Sequence, residues 1–325
     1  MLGLEAMTLN QLQAFVLVAR LGSLTAAARA LGVSEPAVAA ALASLRRQLG
    51  DPLVERGPSG MALSPAGRRL VGLASQMVAL GVEAEAAVRQ ANGAPERLRI
   101  TSTGAIAESS APALLDAFTS RAAAIEVSLV VVQGVEMPAL LAERLCDVAL
   151  GPRLSGDGDL ESIPLLRYRL AMVAGPTHRL AARSSLGPKD LATETWLVDP
   201  DANDPTCAPG QVLERLGVPE TRIRVFPSQA AAWLAAEEGQ GVALAALHLV
   251  TTELTRGSLR LLEVTGFPVE LLWYATMLRP ERRSPAASAL RHFLATPAAT
   301  HAMHAPSSGT PPGRFRPPVH VTIWS

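Results

Sequence analysis

The sequence contains few of the features that mark secreted or membrane-spanning proteins. Only two cysteines, Cys146 and Cys207, occur among its 325 residues, so no disulfide framework is indicated. No uninterrupted apolar run reaches the ~18 residues of a membrane span. The N-terminus lacks the charged-then-apolar layout of a signal peptide. We therefore expect a cytoplasmic protein with no membrane partner.

The sequence also lacks the patterns of common catalytic and metal sites. It has no glycine-rich phosphate loop and no nucleophile elbow, and its six histidines form no triad-like arrangement. His301 and His304 form an HxxH pair, but we expect them in an irregular tail, where they would not share a helical face. We predict no catalytic residues, no cofactor and no metal, and we rank an enzyme third among the functional classes.

Net charge is absent as well, since 29 basic residues balance 29 acidic ones. This balance excludes a polybasic or histone-like protein, but it conceals an uneven distribution. Residues 1–93 carry eight arginines and six acids, for a net charge of +2, whereas residues 94–325 carry 21 basic and 23 acidic residues, for −2. The front of the chain is therefore mildly basic.

The composition of the chain is that of a protein with folded domains. Hydrophobic residues make up 49% of the chain and charged residues 18%, which indicates packed cores rather than disorder. A chain of this length fits two or three modest domains.

The first 50 residues predict closely spaced helices. Apolar residues recur at helical spacing from Leu9, and Gly22 ends that segment. A short second helix ends at Gly32, and Ser34 caps a third helix with Pro36 in its first turn. Two short helices joined by a glycine-bearing turn are typical of a helix-turn-helix, although a plain three-helix bundle has the same spacing.

A predicted hairpin and a long helix follow. Two short apolar segments flank Gly57–Gly60, which is typical of a hairpin with a tight turn, a wing in this setting. A helix from Ser64 to about Gln90 carries apolar residues at alternating steps of three and four, which predicts a coiled-coil dimerisation seam. The seam residues are Leu70, Leu73, Met77, Leu80 and Ala84. An amphipathic helix packed only on its own domain is the alternative.

The rest of the chain alternates strands and helices, which predicts a parallel α/β sheet. A second run of the same kind starts near Leu170. Prolines make 297–318 an irregular segment by prediction, and alternating apolar residues in 319–324 predict a final strand that docks on a sheet edge.

The stretch 9–71 resembles the DNA-binding region of LysR-type transcriptional regulators. The resemblance includes Phe15, the Gly22-Ser23 pair, Pro36-Ala37-Val38 and Pro52-Leu53. It implies an α+β multidomain chain with a winged helix-turn-helix DNA-binding domain, a long linker helix and a two-lobed α/β effector domain like periplasmic binding proteins. The implied domains are 1–63 for DNA binding, 64–93 for the linker dimerisation helix, 94–167 with 268–296 for effector lobe 1, 168–267 for effector lobe 2, and 297–325 for the tail.

A recognition helix reads bases through its first two turns, and phosphate contacts come from arginines and helix N-termini. Where this family usually has glutamine, serine and a basic residue, the chain has Glu35, Ala39 and Ala40. We therefore expect weaker base readout than usual at this helix. The predicted DNA-binding residues are Thr25, Arg29, Ser34, Glu35, Pro36, Ala37, Ala40, Arg56, Arg68 and Arg69.

Ligands of α/β sheets bind beyond the carboxyl ends of the strands. The hydroxyl run 101–103 follows the first strand of the effector domain, and plain helix capping is its alternative role. The resemblance adds further segments to the same cleft. The predicted effector-binding residues are Thr101, Ser102, Thr103, Gly134, Val135, Glu136, Pro152, Asp199, Ser228 and Gln229.

The resemblance thus implies a regulator that binds an interrupted palindrome in promoter DNA and responds to a small molecule. Its expected partners are double-stranded DNA, the unknown effector and further copies of itself, as a homodimer and a homotetramer. RNA polymerase is a further candidate partner. A solute-binding and assembly module without a sequence-specific DNA role is the second functional class, motivated by the alanine-rich recognition helix.

Overall fold

The computed structural model describes residues 7–57, 60–154 and 158–304. The chain divides into two compact units. The first contains residues up to Ala94 together with Ala142–Leu145, and the second contains Pro95–Leu141 and the chain from Cys146 onward.

Three helices form the core of the first unit: α1 (Leu9–Leu21), α2 (Leu24–Leu31) and α3 (Glu35–Leu49). Thr8 starts α1 with a capping box, and the Ser23 hydroxyl accepts from the Ala26 N–H at the start of α2. Gly32, with φ of 66°, turns the chain from α2 into α3 in a conformation that glycine adopts without strain. Phe15, Leu42 and Leu45 are fully buried between these helices.

A hairpin and a long helix complete this unit. Strands β1 (Val54–Gly57) and β2 (Gly60–Leu63) pair antiparallel, and helix α4 runs from Pro65 to Ala91. Gly67 lets α4 begin directly against the backbone of Leu53, because a Cβ there would lie 2.1 Å from the Leu53 carbonyl oxygen.

The second unit is built on one mixed sheet of nine strands. Eight of the strands lie in the order β4-β3-β5-β11-β6-β9-β7-β8, and β10 pairs with β6. The strands are β3 (Glu96–Ser102), β4 (Ile125–Val131), β5 (Val148–Gly151), β6 (Leu160–Ala174), β7 (Trp196–Val198), β8 (Ile223–Val225), β9 (Val242–Ala246), β10 (Arg260–Leu261) and β11 (Val269–Leu278).

Strands β6 and β11 divide this sheet into two lobes. They pair antiparallel over ten residue pairs, with β5 beside β11 at one end and β9 beside β6 at the other. Lobe 1 is the part around β3, β4 and β5, and lobe 2 is the part around β7, β8 and β9. The register shifts between Trp273 and Tyr274, where the paired strands pass from one lobe to the other.

Helices cover both lobes of the sheet. Those of lobe 1 are α5 (Gly104–Glu108), α6 (Ser110–Thr119), α7 (Met137–Ala142), α12 (Pro285–Leu294) and α13 (Pro297–His304). Those of lobe 2 are α8 (Pro188–Ala192), α9 (Ala208–Leu216), α10 (Gln229–Glu237) and α11 (Thr251–Arg256).

The structure differs from the sequence-based expectations in three places. The sheet is mixed rather than parallel, because β6 and β11 run antiparallel to each other and to neighbouring strands. The strand–helix alternation predicts one helix after the first strand, but that segment is split into two helices at Ser109, whose φ and ψ are −107° and −82°. The expectation of an irregular segment from residue 297 is wrong at its start, since Pro297 opens helix α13, where its missing N–H leaves no helical bond unmade. The predicted strand in 319–324 lies outside the described residues.

Candidate functional site

The first two turns of α3 form an exposed surface on the first unit. Ser34, Glu35, Pro36, Ala37 and Ala40 are all exposed. The opposite face of the helix is anchored, because Val38, Leu42 and Leu45 are buried in the core. The helix therefore has the rigid support and open N-terminal face that a recognition helix needs to enter a DNA groove.

Two of the predicted DNA-binding residues form one hydrogen-bonded pair. The Thr25 hydroxyl, at the start of α2, donates to Glu35 Oε2 at 2.8 Å. This bond ties the acidic side chain of α3 to the preceding helix and leaves the other carboxylate oxygen, Oε1, as an acceptor. Ser34 occupies the cap position of α3 but makes no side-chain capping bond.

The arginines of this unit divide into two kinds. Arg29, Arg68 and Arg69 are exposed, and Arg68 also donates to the Leu63 carbonyl at 2.7 Å. Arg46, late in α3, is half-buried and donates to the Val54 carbonyl at 2.7 Å, so it links α3 to the hairpin. The side chain of Arg56 lies outside the described part of the structure.

Helix α4 carries an exposed apolar seam. Leu73, Met77 and Leu80 are exposed, as is Ala84, whereas Leu70 packs against the helix-turn-helix core. Although the chain lacks an uninterrupted apolar run, α4 is long and apolar enough from Pro65 to Arg89 to cross a membrane by length and composition. Helix α4 also packs on α1, and its residues Ala74 and Ser75 are buried.

A cavity of about 480 Å³ lies between the two lobes of the second unit. Of the predicted effector residues, Thr103, Pro152 and Gln229 line it. Four charged side chains line it too, and their charges balance: Arg153, Arg167, Asp201 and Glu270. Tyr168 and Trp273 contribute an aromatic pair, with ring centroids 4.5 Å apart and the ring planes tilted by 33°. The cavity has the size and the mixed lining of a small-molecule site.

The remaining predicted effector residues do not line this cavity. Thr101 and Ser102 are buried in β3, where their hydroxyls donate to Cys146 Sγ at 3.6 Å and to the Thr103 carbonyl at 3.0 Å. Ser228 caps α10 by accepting from the Ala231 N–H. Side chains of a strand alternate between its two faces, so a run of three hydroxyls cannot all face one cleft.

Residues 134–136 lie at the edge of lobe 1 that faces lobe 2. Glu136 is exposed and accepts from the Gln133 N–H at 3.3 Å, and the Val135 side chain is also exposed. Gly134 is buried against lobe 2, where a Cβ would lie 2.5 Å from Thr206 Oγ1. This segment therefore contacts the other lobe rather than the cavity.

Carboxylates gather where the two lobes meet. Asp201 of lobe 2 accepts from the Gly104 and Ala105 N–H groups of lobe 1, and Asp204 accepts from the Val135 N–H. Glu108 of lobe 1 lies beside the backbone N–H groups of Gln229 and Ala230 in lobe 2. Each lobe thus presents a carboxylate to backbone donors of the other.

Burial controls the protonation of this cluster. Desolvation, together with the charges of Asp201 and Glu108, raises the pKa of Asp199 to about 7. Desolvation also raises the pKa of Asp201 and of Glu108. Asp199 Oδ2 is buried without a hydrogen-bond partner among the described residues, which agrees with a carboxyl that keeps its proton to near neutrality.

Both cysteines are buried and free. Cys146 packs with Met137 and Leu141, and burial raises the pKa of its thiol to about 12. Cys207 lines the cavity, and burial raises its pKa well above the ordinary value. Thiol reactivity requires the thiolate, so neither environment favours redox chemistry.

The part of the chain that the structure describes contains no group of three or more histidine, cysteine, aspartate or glutamate side chains placed to hold a metal. His301 lies on α13 and is exposed, and the side chain of His304 is outside the described set.

Sequence reasoning missed most of the residues that build the cleft, among them Asp201, Asp204, Tyr168 and Trp273. One local pattern could have identified the first two, because the segment 199–205 contains three aspartates and two Asp-Pro pairs. Such a segment forms a polar turn that needs donors for its carboxylates. Tyr168 and Trp273 lie on the paired strands, and nothing in their local sequence indicates a cavity.

Comparisons with known proteins match both units. Residues 9–68 match the family model for the bacterial regulatory helix-turn-helix protein of the lysR family, and residues 91–298 match the LysR substrate binding domain. An uncharacterised HTH-type transcriptional regulator of Mycobacterium tuberculosis is 37% identical over 325 residues, with 98% of this chain and 100% of the relative covered. CfxR, an HTH-type transcriptional regulator of Cupriavidus necator, is 31% identical, with coverage of 90% and 92%.

Solved structures show the same fold. CbnR, a LysR family transcriptional regulator, has a TM-score of 0.59 at 20% identity, covering 91% of this chain and 99% of its own. ArgP from Mycobacterium tuberculosis also has a TM-score of 0.59, at 21% identity, with coverage of 91% and 97%. The predicted fold class and family are confirmed, and the solute-binding alternative is not favoured. The chain belongs to the LysR family of DNA-binding transcriptional regulators, with an N-terminal helix-turn-helix and a C-terminal effector-binding domain.

Proposed function

We propose that this regulator acts in the cytoplasm as a homodimer whose two helix-turn-helix units bind an interrupted palindrome in promoter DNA. The observation that carries the proposal is the exposed seam of α4. Leu73 is 61% exposed and Leu80 50%, although both are large apolar side chains on a long helix. A second copy of the same helix would cover them, because the seam follows the alternating steps of three and four that pack helices side by side.

Pairing through α4 compensates for a modest DNA-binding surface. Arg29, Arg68 and Arg69 supply phosphate contacts, while Ala37 and Ala40 supply only apolar contacts to bases. Linking two such surfaces makes the second contact intramolecular, which raises overall affinity by about 10²–10⁴ without new contacts. Thr25, Ser34, Glu35 and Pro36 complete the proposed surface, together with Arg56.

We propose the cavity between the lobes as the effector site. Thr103, Pro152 and Gln229 remain the predicted ligand contacts, with Tyr168 and Trp273 added from the geometry. The balanced charges of the lining favour an uncharged or zwitterionic small molecule over a simple anion. A ligand that favours one arrangement of the lobes would shift the assembly on DNA and so alter transcription.

Further association into a tetramer is supported by the two edges of the sheet. The edge strands β4 and β8 carry exposed valines, Val130, Val131 and Val225. Exposed apolar edge strands favour pairing with another chain. RNA polymerase stays a candidate partner of the assembled regulator.

The seam is tested by charge insertion. We expect Leu73→Glu combined with Leu80→Glu to give monomers in analytical ultracentrifugation and to weaken binding to a promoter fragment at least tenfold, because two carboxylates per helix would face each other across the pair. The matched control is Val82→Glu, which places a charge at a side chain that is 45% exposed on the opposite face of the helix. Dimers that persist in the seam variant, with unchanged DNA affinity, would contradict the proposal.

A further inference from the structure

One loop of lobe 2 reaches across the cleft and contacts lobe 1 through its carboxylates. The loop comprises residues 199–206. Asp201 Oδ1 accepts from the Gly104 N–H at 3.2 Å, and Oδ2 accepts from the Ala105 N–H at 3.0 Å. A carboxylate that takes two backbone donors in this way forms stronger bonds than neutral groups do, and its orientation is fixed.

Asp204 makes a second contact between the lobes and belongs to the same loop as Asp201. Its Oδ2 accepts from the Val135 N–H of lobe 1 at 3.2 Å. Its Oδ1 accepts from the N–H and the hydroxyl of Thr206, at 2.8 and 2.6 Å, so the side chain is held in place from its own lobe. The two aspartates therefore engage two separate segments of lobe 1.

The close approach of the lobes depends on a glycine. At Gly134, a Cβ would lie 2.5 Å from Thr206 Oγ1 and 3.1 Å from Asp204 Oδ2. An added methyl group would therefore displace the Thr206 hydroxyl from its bond to Asp204 or push the loop away from lobe 1. At Gly104, by contrast, the nearest atom to an added Cβ is Asp201 Oδ1 at 3.6 Å, an ordinary contact distance. The lobes are thus in direct contact at Gly134. The contact at Gly134 depends on the absence of a side chain, whereas the contact at Gly104 does not.

Both carboxylates are removed from solvent. Asp201 is 7% exposed and Asp204 is 1% exposed. A buried carboxylate without partners is strongly destabilising, so loss of the contacts with lobe 1 would leave these groups either unpaired or in water. The bonds and the burial therefore form and break together as the lobes close and open.

We infer that residues 199–206 form a latch that holds the two lobes closed, and that effector binding is coupled to the state of this latch. The latch consists of Asp201 and Asp204 as the crossing groups, with Gly134 as the surface against which they close. Asp201 also lines the cavity, so a bound molecule contacts the latch directly. The paired strands β6 and β11 connect the lobes, and the register shift between Trp273 and Tyr274 is where they would bend on opening.

Hydrogen exchange of the full chain tests the latch, because its bonds protect three particular amides. We expect Asp201→Ala to raise the exchange rates of the Gly104 and Ala105 amides at least tenfold, and Asp204→Ala to do the same for Val135. Gly134→Ala keeps every carboxylate but separates the lobes, so it should raise all three rates. Amides of β9, which lies within lobe 2, serve as the internal reference for a folded domain.

Two matched controls accompany these variants. Gly104→Ala adds the same methyl group where the space allows it, and Asp116→Asn removes a carboxylate from α6, away from the loop. Both should leave the three amides as protected as in the unaltered chain. Equal exchange in Asp201→Ala, Gly134→Ala and the unaltered chain would overturn the latch.

The coupling to an effector rests on the proposed function of the cavity, whereas the latch is measured without any ligand. Failure of the unaltered chain to bind promoter DNA as a dimer would contradict the proposed function and leave the exchange result standing. Protection that is absent in the unaltered chain would contradict the latch and leave DNA binding standing.

Discussion

The two units of this chain build their functional surfaces in opposite ways. The exposed face of α3 in the helix-turn-helix unit comes from neighbouring residues of one segment, 34–40, on a helix whose other face is buried. The cleft of the effector domain gathers Thr103, Asp201, Gln229 and Trp273 from four distant segments. The first kind of surface follows from helical periodicity alone, while the second exists only when the sheet has formed.

The same contrast applies to charged groups. Glu35, on the DNA-binding surface, is exposed and bonded to a neighbouring hydroxyl, so water and one donor satisfy it. Asp199, Asp201 and Asp204 are buried and depend on backbone donors, or on a retained proton. Substitutions in the first surface should therefore alter specificity, whereas substitutions in the second should alter stability and the closure of the lobes.

The largest expected effect is a loss of stability that is confined to one of the two units. Trp196 is fully buried in lobe 2, and its indole N–H donates to the Leu191 carbonyl at 3.1 Å. We expect Trp196→Ala to lower the free energy of unfolding of the effector domain by about 3–5 kcal/mol, through the cavity that it leaves and the unpaired carbonyl. Tryptophan fluorescence follows this domain specifically, because residues 1–94 contain no tryptophan.

The counterpart in the first unit is Phe15→Ala, which should destabilise the helix-turn-helix unit and leave the fluorescence transition of the effector domain where it is. A single transition that moves equally in both variants would show that the two units unfold together and do not have separate stabilities.

The next effect concerns the dependence of stability on pH. Burial raises the pKa of Asp199 from 3.8 to about 7, so between these values the folded chain retains a proton that the unfolded chain releases. The contribution of this group to the free energy of unfolding is therefore fully present below about pH 4 and falls as the pH rises through 7. We expect Asp199→Asn to remove this decline, with a gain on the order of a few kcal/mol at pH 8 and little change at pH 4.

Urea unfolding at several pH values measures this difference, with Asp116→Asn as the control on α6. A parallel pH dependence in Asp199→Asn and in the unaltered chain would assign the effect to other groups.

The smallest expected effect is a change in the base preference of the DNA-binding unit. Glu35 can accept from the amino group of cytosine, whereas glutamine pairs with both the acceptor and the donor of adenine. We expect Glu35→Gln to shift the preferred base at one position by about tenfold, in line with ~1–3 kcal/mol for one such contact. Overall affinity for DNA should rise, because a negative charge near the phosphates is removed.

Selection of binding sites from a random library, with both proteins, reports the preferred base directly. Thr25→Val serves as the companion variant, since it releases the Glu35 carboxylate without changing its charge. An unchanged site preference in Glu35→Gln would remove this residue from base recognition.

The helices of the first unit, and the alternation of strands and helices in the second, could be predicted from the sequence alone. Gly22 and Gly32 marked the ends of the first two helices, because a left-handed residue there ends a helix at little conformational cost. Thr103, Pro152 and Gln229 were expected in the cleft, and the cavity between the lobes lies against all three.

Which residues of the effector domain meet in the cleft depends on the folded sheet and not on local sequence. Asp201 lies 96 residues from Ala105 along the chain, and the paired strands β6 and β11 connect their lobes. Nothing in the local pattern of either segment specifies the other as its partner. The hydrogen bonds between them form because the folded sheet brings two backbone N–H donors next to a loop that carries carboxylates. Those carboxylates are buried, and a buried carboxylate requires hydrogen-bond donors.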